Sequence, residues 1–342
     1  MQRVNTTEAS LLPLLSAARV LQHAALGAYD TARFHSSMQT LAALYDQVAH
    51  HSLKLQGYRS RFVQASTGRV HLLEARGQGS APPLVMLHGF SSCGAHFHPI
   101  ARRVRSGVRR LILPDLPAHG LSDTPRVPTA RGVERGLIEA LDAVIDEPSV
   151  IFGLSMGGLA AIRYALASPQ RVKGLVLCSP GGAEMADEEL ERLTDSFCLE
   201  SHASALAFVD RLLTKPSILR QAYAFGVRRS FGRPAMRTLL ASMKSEDLLR
   251  REHLAKLDVP LLLLWGRRDR ILPPSSLEFF RSSLPAHARI EEPESFGHSP
   301  FLEQPDELAT RIEGFLDSLV TRPSIASREP GERAPESLRR AA

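Results

Sequence analysis

Gly153-Leu154-Ser155-Met156-Gly157 sets a serine between an apolar run, Ser149 to Phe152, and a helix-like run, Gly158 to Ile162. A strand-to-helix turn this tight leaves no room for side chains two positions before and after its apex. The flanking glycines therefore answer a steric demand, and the apex serine is strained. The helix that follows directs its N-terminal amides and dipole at the serine oxygen, where they favour negative charge. Three fixed residues in five recur by chance, so the reading rests on what else the chain carries.

Three further segments agree with it. Pro83 to Leu87 is an apolar strand ending in His88-Gly89-Phe90. Val259 to Gly266 is a continuous apolar run ending in Arg267-Arg268-Asp269, and a carboxylate at the tip of a buried strand needs a partner. Phe296-Gly297-His298-Ser299-Pro300 places a glycine-flanked histidine in the loop after a strand expected near Ala288 to Glu291. With Ser, Asp and His in that order, a Ser-x-Gly-Gly elbow, a His-Gly loop and a Gly-His-x-Pro loop, the chain resembles the α/β-hydrolase superfamily in its serine-nucleophile, helically capped, esterase- and lipase-like branch. Asp115-Leu-Pro-Ala-His-Gly120-Leu-Ser122 is similar to that branch's Asp-x-x-x-x-Gly-x-Ser loop. The resemblance covers roughly residues 60 to 320.

It implies an α/β fold with a doubly wound, mostly parallel sheet, a helical cap insertion and here an N-terminal helical extension. It also implies Ser155 as nucleophile, His298 as base and Asp269 as the group orienting the imidazole, with the Phe90 and Met156 amides as oxyanion hole. A serine at the elbow separates the chain from the aspartate-nucleophile relatives. His88 is expected to order its own loop, His119 to sit in a turn, and Asp115 to fix the loop it begins. Asp258, Asp306 and Glu294 are weaker candidates for the acid than Asp269.

Strand-like runs at Tyr58 to Ser66, Arg69 to Arg76, Pro83 to Leu87, Arg110 to Leu113, Val150 to Phe152 and Gly174 to Leu177 alternate with helices expected from near Phe97, Ala130, Met156, Ser276 and Gln304. The organisation expected is a helical extension over 1–56, core over 57–182, a helical cap over 183–257, core over 258–321 and a disordered tail over 322–342. Within the cap, Leu212, Tyr223, Phe225, Phe231 and Met243, with Phe90 below, are the expected pocket lining.

A net charge of +6 and a pI near 9.5 raise the question of an anionic partner. The arginines at 102, 103, 105, 109 and 110 read as a solvated face without nucleic-acid motifs, so no nucleic-acid partner is expected. Three irregularly spaced cysteines suit a reduced, cytoplasmic chain, with export or peripheral membrane attachment as alternatives. Leu11 to Leu15 has a weak claim to a signal peptide's apolar core. Phe34, Met38, Leu41, Tyr45 and Val48 form a helical stripe expected to pack on the domain or on a second copy rather than on a membrane. Cys93, His96 and His98 offer three metal ligands in six residues without a fourth, so neither a metal nor a cofactor is expected. The activity this implies is hydrolysis of carboxylic esters of a small-molecule acyl substrate through an acyl-enzyme. Cleavage of a carbon–carbon or thioester bond, acyl transfer, or a non-catalytic interaction module are the alternatives.

Overall fold

The structure is a computed structural model and describes residues 31–321. The Leu11 to Leu15 run and the tail after 321 lie outside those residues, as do the side chains of Phe34, Met38 and Leu41.

The strands are β1 (Arg59–Ala65), β2 (Gly68–Arg76), β3 (Leu84–Leu87), β4 (Arg110–Pro114), β5 (Ser149–Leu154), β6 (Val172–Cys178), β7 (Leu261–Leu264) and β8 (Arg289–Glu291). The helices are α1 (Thr31–Leu55), α2 (His98–Gly107), α3 (Ala130–Val144), α4 (Met156–Ala167), α5 (Asp187–Asp195), α6 (His202–Leu212), α7 (Arg220–Phe231), α8 (Pro234–Ser242), α9 (Arg251–Leu254), α10 (Pro274–Ser283), α11 (Pro300–Glu303) and α12 (Pro305–Thr321). All eight strands share one sheet in the order β1-β2-β4-β3-β5-β6-β7-β8. β1 and β2 form an antiparallel hairpin, β2 runs antiparallel to β4, and every pair from β4 to β8 is parallel.

Period-2 alternation explains why the central strands read as unbroken apolar runs. In β3, Leu84 and Met86 point into one layer and Val85 and Leu87 into the other, and all four are fully buried. The first layer is covered by α1, α2 and α12, the second by α3, α4 and α10. Parallel strands need crossovers, and α2, α3, α4 and α10 supply four of them. The Thr129 hydroxyl accepts from the Gly132 amide at 3.1 Å and so starts α3 at the expected residue. Between β6 and β7 the chain makes only helices, α5 to α9.

α1 is packed, though not along the whole stripe. Ala49 and Leu53 are buried in the first layer, Tyr45 is half-buried, and Val48 is 36% exposed. The face that docks is thus Tyr45, Ala49, Leu53, spaced by four, and Val48 lies off it. The same helix also lies against α7. Among the described residues no helix is long and apolar enough to cross a membrane. Most of the clustered arginines are partnered within the chain: Arg103 with Glu313, Arg109 with Glu147, and Arg110 with Glu74.

Because Leu53 is fully enclosed, Leu53→Ala should lower the unfolding free energy by about 2–4 kcal/mol. Val48→Ala should change it by less than about 0.5 kcal/mol. Urea unfolding of the two variants checks this, and equal losses would mean that α1 docks on another face.

Candidate active site

Ser155 sits at the apex between β5 and α4 with φ 54° and ψ −120°. A non-glycine residue in this region carries about 1–3 kcal/mol of strain. Two glycines make the apex possible. A β-carbon on Gly157 would lie 2.2 Å from the Leu87 carbonyl oxygen, and one on Gly153 would lie 2.3 Å from the Gly157 carbonyl oxygen. The strained turn is held by its own backbone: the Ser155 amide donates to the Cys178 carbonyl at 3.1 Å, and its carbonyl accepts from the Gly158 and Gly181 amides at 2.8 and 2.9 Å.

The turn after β3 meets this apex directly, since a β-carbon on Gly89 would come within 3.3 Å of the Ser155 β-carbon. Phe90 follows in that turn, and Met156 opens α4. His88 fixes the turn from behind. Its Nε2 accepts from the Leu116 amide at 3.0 Å, which leaves Nδ1–H to donate to the Gly89 carbonyl at 2.8 Å. With both ring nitrogens used and burial pushing its pKa down to about 4, His88 has no lone pair for a substrate. His119 is buried beside it and beside Phe90, and its Nδ1 lies 3.0 Å from the Pro117 carbonyl. Burial, with His88 adding to it, takes His119 down to about 3.

Asp115 is fully buried and joins three segments. One carboxylate oxygen accepts from the Gly94 amide at 2.7 Å, the other from the Leu121 amide at 2.8 Å and from His71 Nδ1 at 2.9 Å. Burial alone would raise its pKa, but His71, His88 and the Leu121 amide outweigh that and hold it below the usual carboxylate range.

On the other side of β5, Asp269 follows β7 and His298 follows β8. His298 Nδ1 lies 2.8 Å from Asp269 Oδ2, with the histidine side chain 7% and the aspartate 1% exposed. The other carboxylate oxygen of Asp269 accepts from the Ile271 and Leu272 amides at 2.8 and 3.2 Å. Burial would raise this carboxyl, yet His298 and the Ile271 amide keep it below its ordinary value. The two loops interlock, for the Arg268 amide donates to the Phe296 carbonyl at 2.9 Å. Since β5, β7 and β8 are parallel, Ser155, Asp269 and His298 all emerge at the same end of the sheet. Asp258, Asp306 and Glu294 have no hydrogen bond to His298; Glu294 pairs with Arg267 and Asp306 with Arg103.

The helical segment contributes an aromatic cluster against the Phe90 turn. Phe90 lies 5.2 Å from Phe231 and 6.1 Å from Phe197, ring centre to ring centre, while Phe208 packs on both Phe197 and Phe231. Leu212 and Tyr223 pack against the same cluster. Phe225 does not belong there. It stacks on His202 at 4.3 Å, because α7 turns that face toward α6. Met243 lines a different space, a groove of about 770 Å³ bounded by Leu116, Met156, Leu239 and the arginines Arg131 and Arg163. Phe197 and Phe208 were not singled out for this role from the sequence, and a helical apolar repeat alone does not say which aromatics converge. Ser230 is also new: its hydroxyl donates to the Ser91 carbonyl at 2.8 Å and ties α7 to the Phe90 turn.

A family model described as the alpha/beta hydrolase family matches residues 84–311. The pimeloyl-[acyl-carrier protein] methyl ester esterase of Xanthomonas oryzae pv. oryzae is 30% identical over 256 residues, which is 70% of this chain and 97% of that protein. Among solved structures, a membrane phospholipase A described as a bacterial virulence factor is similar with a TM-score of 0.69 and 25% identity, over 90% of this chain and 99% of that one. The naproxen esterase (carboxylesterase NP) of Bacillus subtilis matches with a TM-score of 0.64 and 24% identity, over 79% of this chain and 96% of that one.

The titrating groups give a signed expectation. His88 and His119 are held neutral in the fold, so the unfolded chain takes up protons first as pH drops below about 6.5, and stability falls from there toward their folded values. Asp115 and Asp269 have folded pKa values below their unfolded ones; their contribution is present above the unfolded value and is lost as pH falls through the folded value. The urea midpoint should therefore drop between pH 7.5 and 5 and drop further below pH 4. A midpoint flat from pH 7.5 to 5 would contradict the buried neutral state of both histidines.

Proposed function

The chain belongs to the alpha/beta hydrolase family, and from that premise we propose that it is a serine hydrolase of carboxylic esters acting through Ser155, His298, Asp269 and an acyl-enzyme intermediate. The observation that carries this reading is the buried His298–Asp269 pair, 2.8 Å apart, at the same sheet end as a serine at φ 54°. Asp269 accepts the Nδ1 proton of His298 and thereby leaves Nε2 with a lone pair. That nitrogen removes the Ser155 proton as Oγ attacks the acyl carbon. The negative charge that develops on the carbonyl oxygen is received by the Phe90 and Met156 amides. Having no reorganisation to undergo, these fixed dipoles favour the transition state over the ground state. His298 then protonates the departing alkoxide, and water repeats the sequence on the acyl-enzyme.

Residues 183–257 act in this reading as a cap. Phe90, Phe197, Phe208 and Phe231, with Leu212 and Tyr223, are the wall against which an apolar acyl group lies. One observation favours an acyl ester of a lipid over a simple alkyl ester. The match to the membrane phospholipase A spans 90% of the chain, whereas residues 59–342 are only 284 of 342 positions, about 83%. That likeness therefore reaches into the N-terminal helix as well as the hydrolase core.

A fluorophosphonate probe should label Ser155 in the wild type. Ser155→Ala should abolish labelling and lower ester turnover by at least about a thousandfold without loss of fold, and Asp269→Asn should cost less than His298→Ala. Labelling at another residue, or ester hydrolysis by Ser155→Ala within tenfold of wild type, would sink the assignment. p-Nitrophenyl esters graded from acetate to palmitate, set beside thioesters and acyl-labelled phosphatidylcholine vesicles, separate the substrate classes.

The ring cluster makes a separate claim. Phe197→Ala and Phe231→Ala should each move the chain-length optimum toward longer acyl groups, with Phe225→Ala leaving it in place. Identical profiles for all three would remove the cluster from the acyl site.

A further inference from the structure

Directly after the Phe90 turn, the segment Ser92-Cys93-Gly94-Ala95-His96 runs beneath α1. Cys93 is 3% exposed, His96 is half-buried and Asp46 of α1 is exposed. One ligand atom from each of the three lies within 4.8 Å of the others, and His96 Nε2 is 2.8 Å from Asp46 Oδ1. His98 is not in the group. The sequence alone offered Cys93, His96 and His98, whereas the fold brings in a carboxylate from 47 positions upstream of Cys93 and leaves His98 aside.

We propose that Asp46, Cys93 and His96 form a binding site for a single zinc-class divalent ion, which would pin α1 to the turn carrying Phe90. Thiolate, imidazole and carboxylate together are a donor set that zinc accepts, and three protein ligands leave a fourth tetrahedral position for water. In the metal-free arrangement His96 Nε2–H donates to Asp46 Oδ1. A metal would take the place of that proton, and Nδ1, 2.8 Å from the Ser92 hydroxyl, would then donate to that oxygen and hold the ring in place. Tetrahedral ligands at about 2.0–2.3 Å from zinc sit a little under 4 Å from one another. The three donor atoms, within 4.8 Å of one another, stand within about an ångström of that spacing, and exposed Asp46 leaves the site open to solvent. Binding displaces the proton on His96 Nε2 to solvent and takes the sulfur as thiolate, so uptake is accompanied by proton release. None of these residues takes part in the ester-hydrolase chemistry proposed above, so the inference stands or falls separately from it.

The test uses the full chain, stripped with a chelator, dialysed and titrated with zinc against a chromophoric competitor, then loaded with cobalt for absorption spectra. One zinc equivalent per chain is expected, together with a higher melting temperature and a thiolate-to-cobalt charge-transfer band that vanishes in Cys93→Ser. Asp46→Asn and His96→Gln should each weaken zinc binding by about tenfold or more, and His98→Ala should leave it unchanged. Asp46 lies at the surface, so its variant reports on binding even where Cys93→Ser is destabilised. No bound equivalent in the wild type, a cobalt spectrum without the thiolate band, or unchanged affinity in Asp46→Asn would each overturn the proposal.

Discussion

A single close approach of backbone to backbone organises this protein: the start of α4 against the end of β3, too near for any β-carbon at Gly157. Steric repulsion is steep enough that a methyl group there would force the two elements apart. At that separation Ser155 must take its unusual conformation, and the turn through Gly89 and Phe90 abuts it. Strain of about 1–3 kcal/mol at one residue persists only where its surroundings over-determine it. They do so here, since the amide of Ser155 is held by the end of β6 and its carbonyl by α4 and by the loop after β6.

Behind that contact lies a polar layer that the apolar sheet would otherwise exclude. A lone buried carboxylate is costly, and Asp115 is tolerable because it accepts from Gly94, Leu121 and His71, each from a different segment. His88 does the same with its two nitrogens, joining Gly89 to Leu116. Removing any one partner would leave a buried polar group unsatisfied, at about 1–3 kcal/mol. The network thus fixes the geometry of the loops facing Ser155 more strictly than apolar packing would, because hydrogen bonds have direction.

The sequence made some of this legible because the constraint is local. Gly153 and Gly157 reveal a backbone crowded against itself, and an apolar run leading to Asp269 and a short strand followed by Gly297-His298 mark loops at one sheet end. Parallel strands buried on both faces reveal themselves by unbroken apolar runs. What depended on the rotation of one helix against another was not legible. Phe225 and Tyr223 are two residues apart on α7, yet one stacks on His202 and the other joins the Phe90 cluster. Val48 matched the apolar period of α1 but lies off the docked face, which Ala49 and Leu53 define. Asp46 gave no signal at all, since only the path of α1 carries it to His96.

The contacts holding α6 and α7 to the rest of the fold differ in kind from those inside the core. Ser230 bonds to Ser91, Arg270 donates to the Asp210 and Leu213 carbonyls, and Glu303 accepts from the Thr214 and Lys215 amides. Such partly solvated bonds contribute only about 0.5–1.5 kcal/mol each, because water replaces them when they break. For α6 and α7 the apolar share of the attachment includes the ring cluster of Phe90, Phe197, Phe208 and Phe231, whose members belong to both sides of the junction, whereas Met236 and Leu239 of α8 and Leu254 of α9 are buried in the second core layer itself. In the ester-hydrolase reading, an acyl chain entering among those rings adds apolar contact to the closed arrangement alone. By linkage it must favour closure by the same free energy that closure adds to its binding. The residues that select the acyl group would then also set how long the helices stay shut over Ser155.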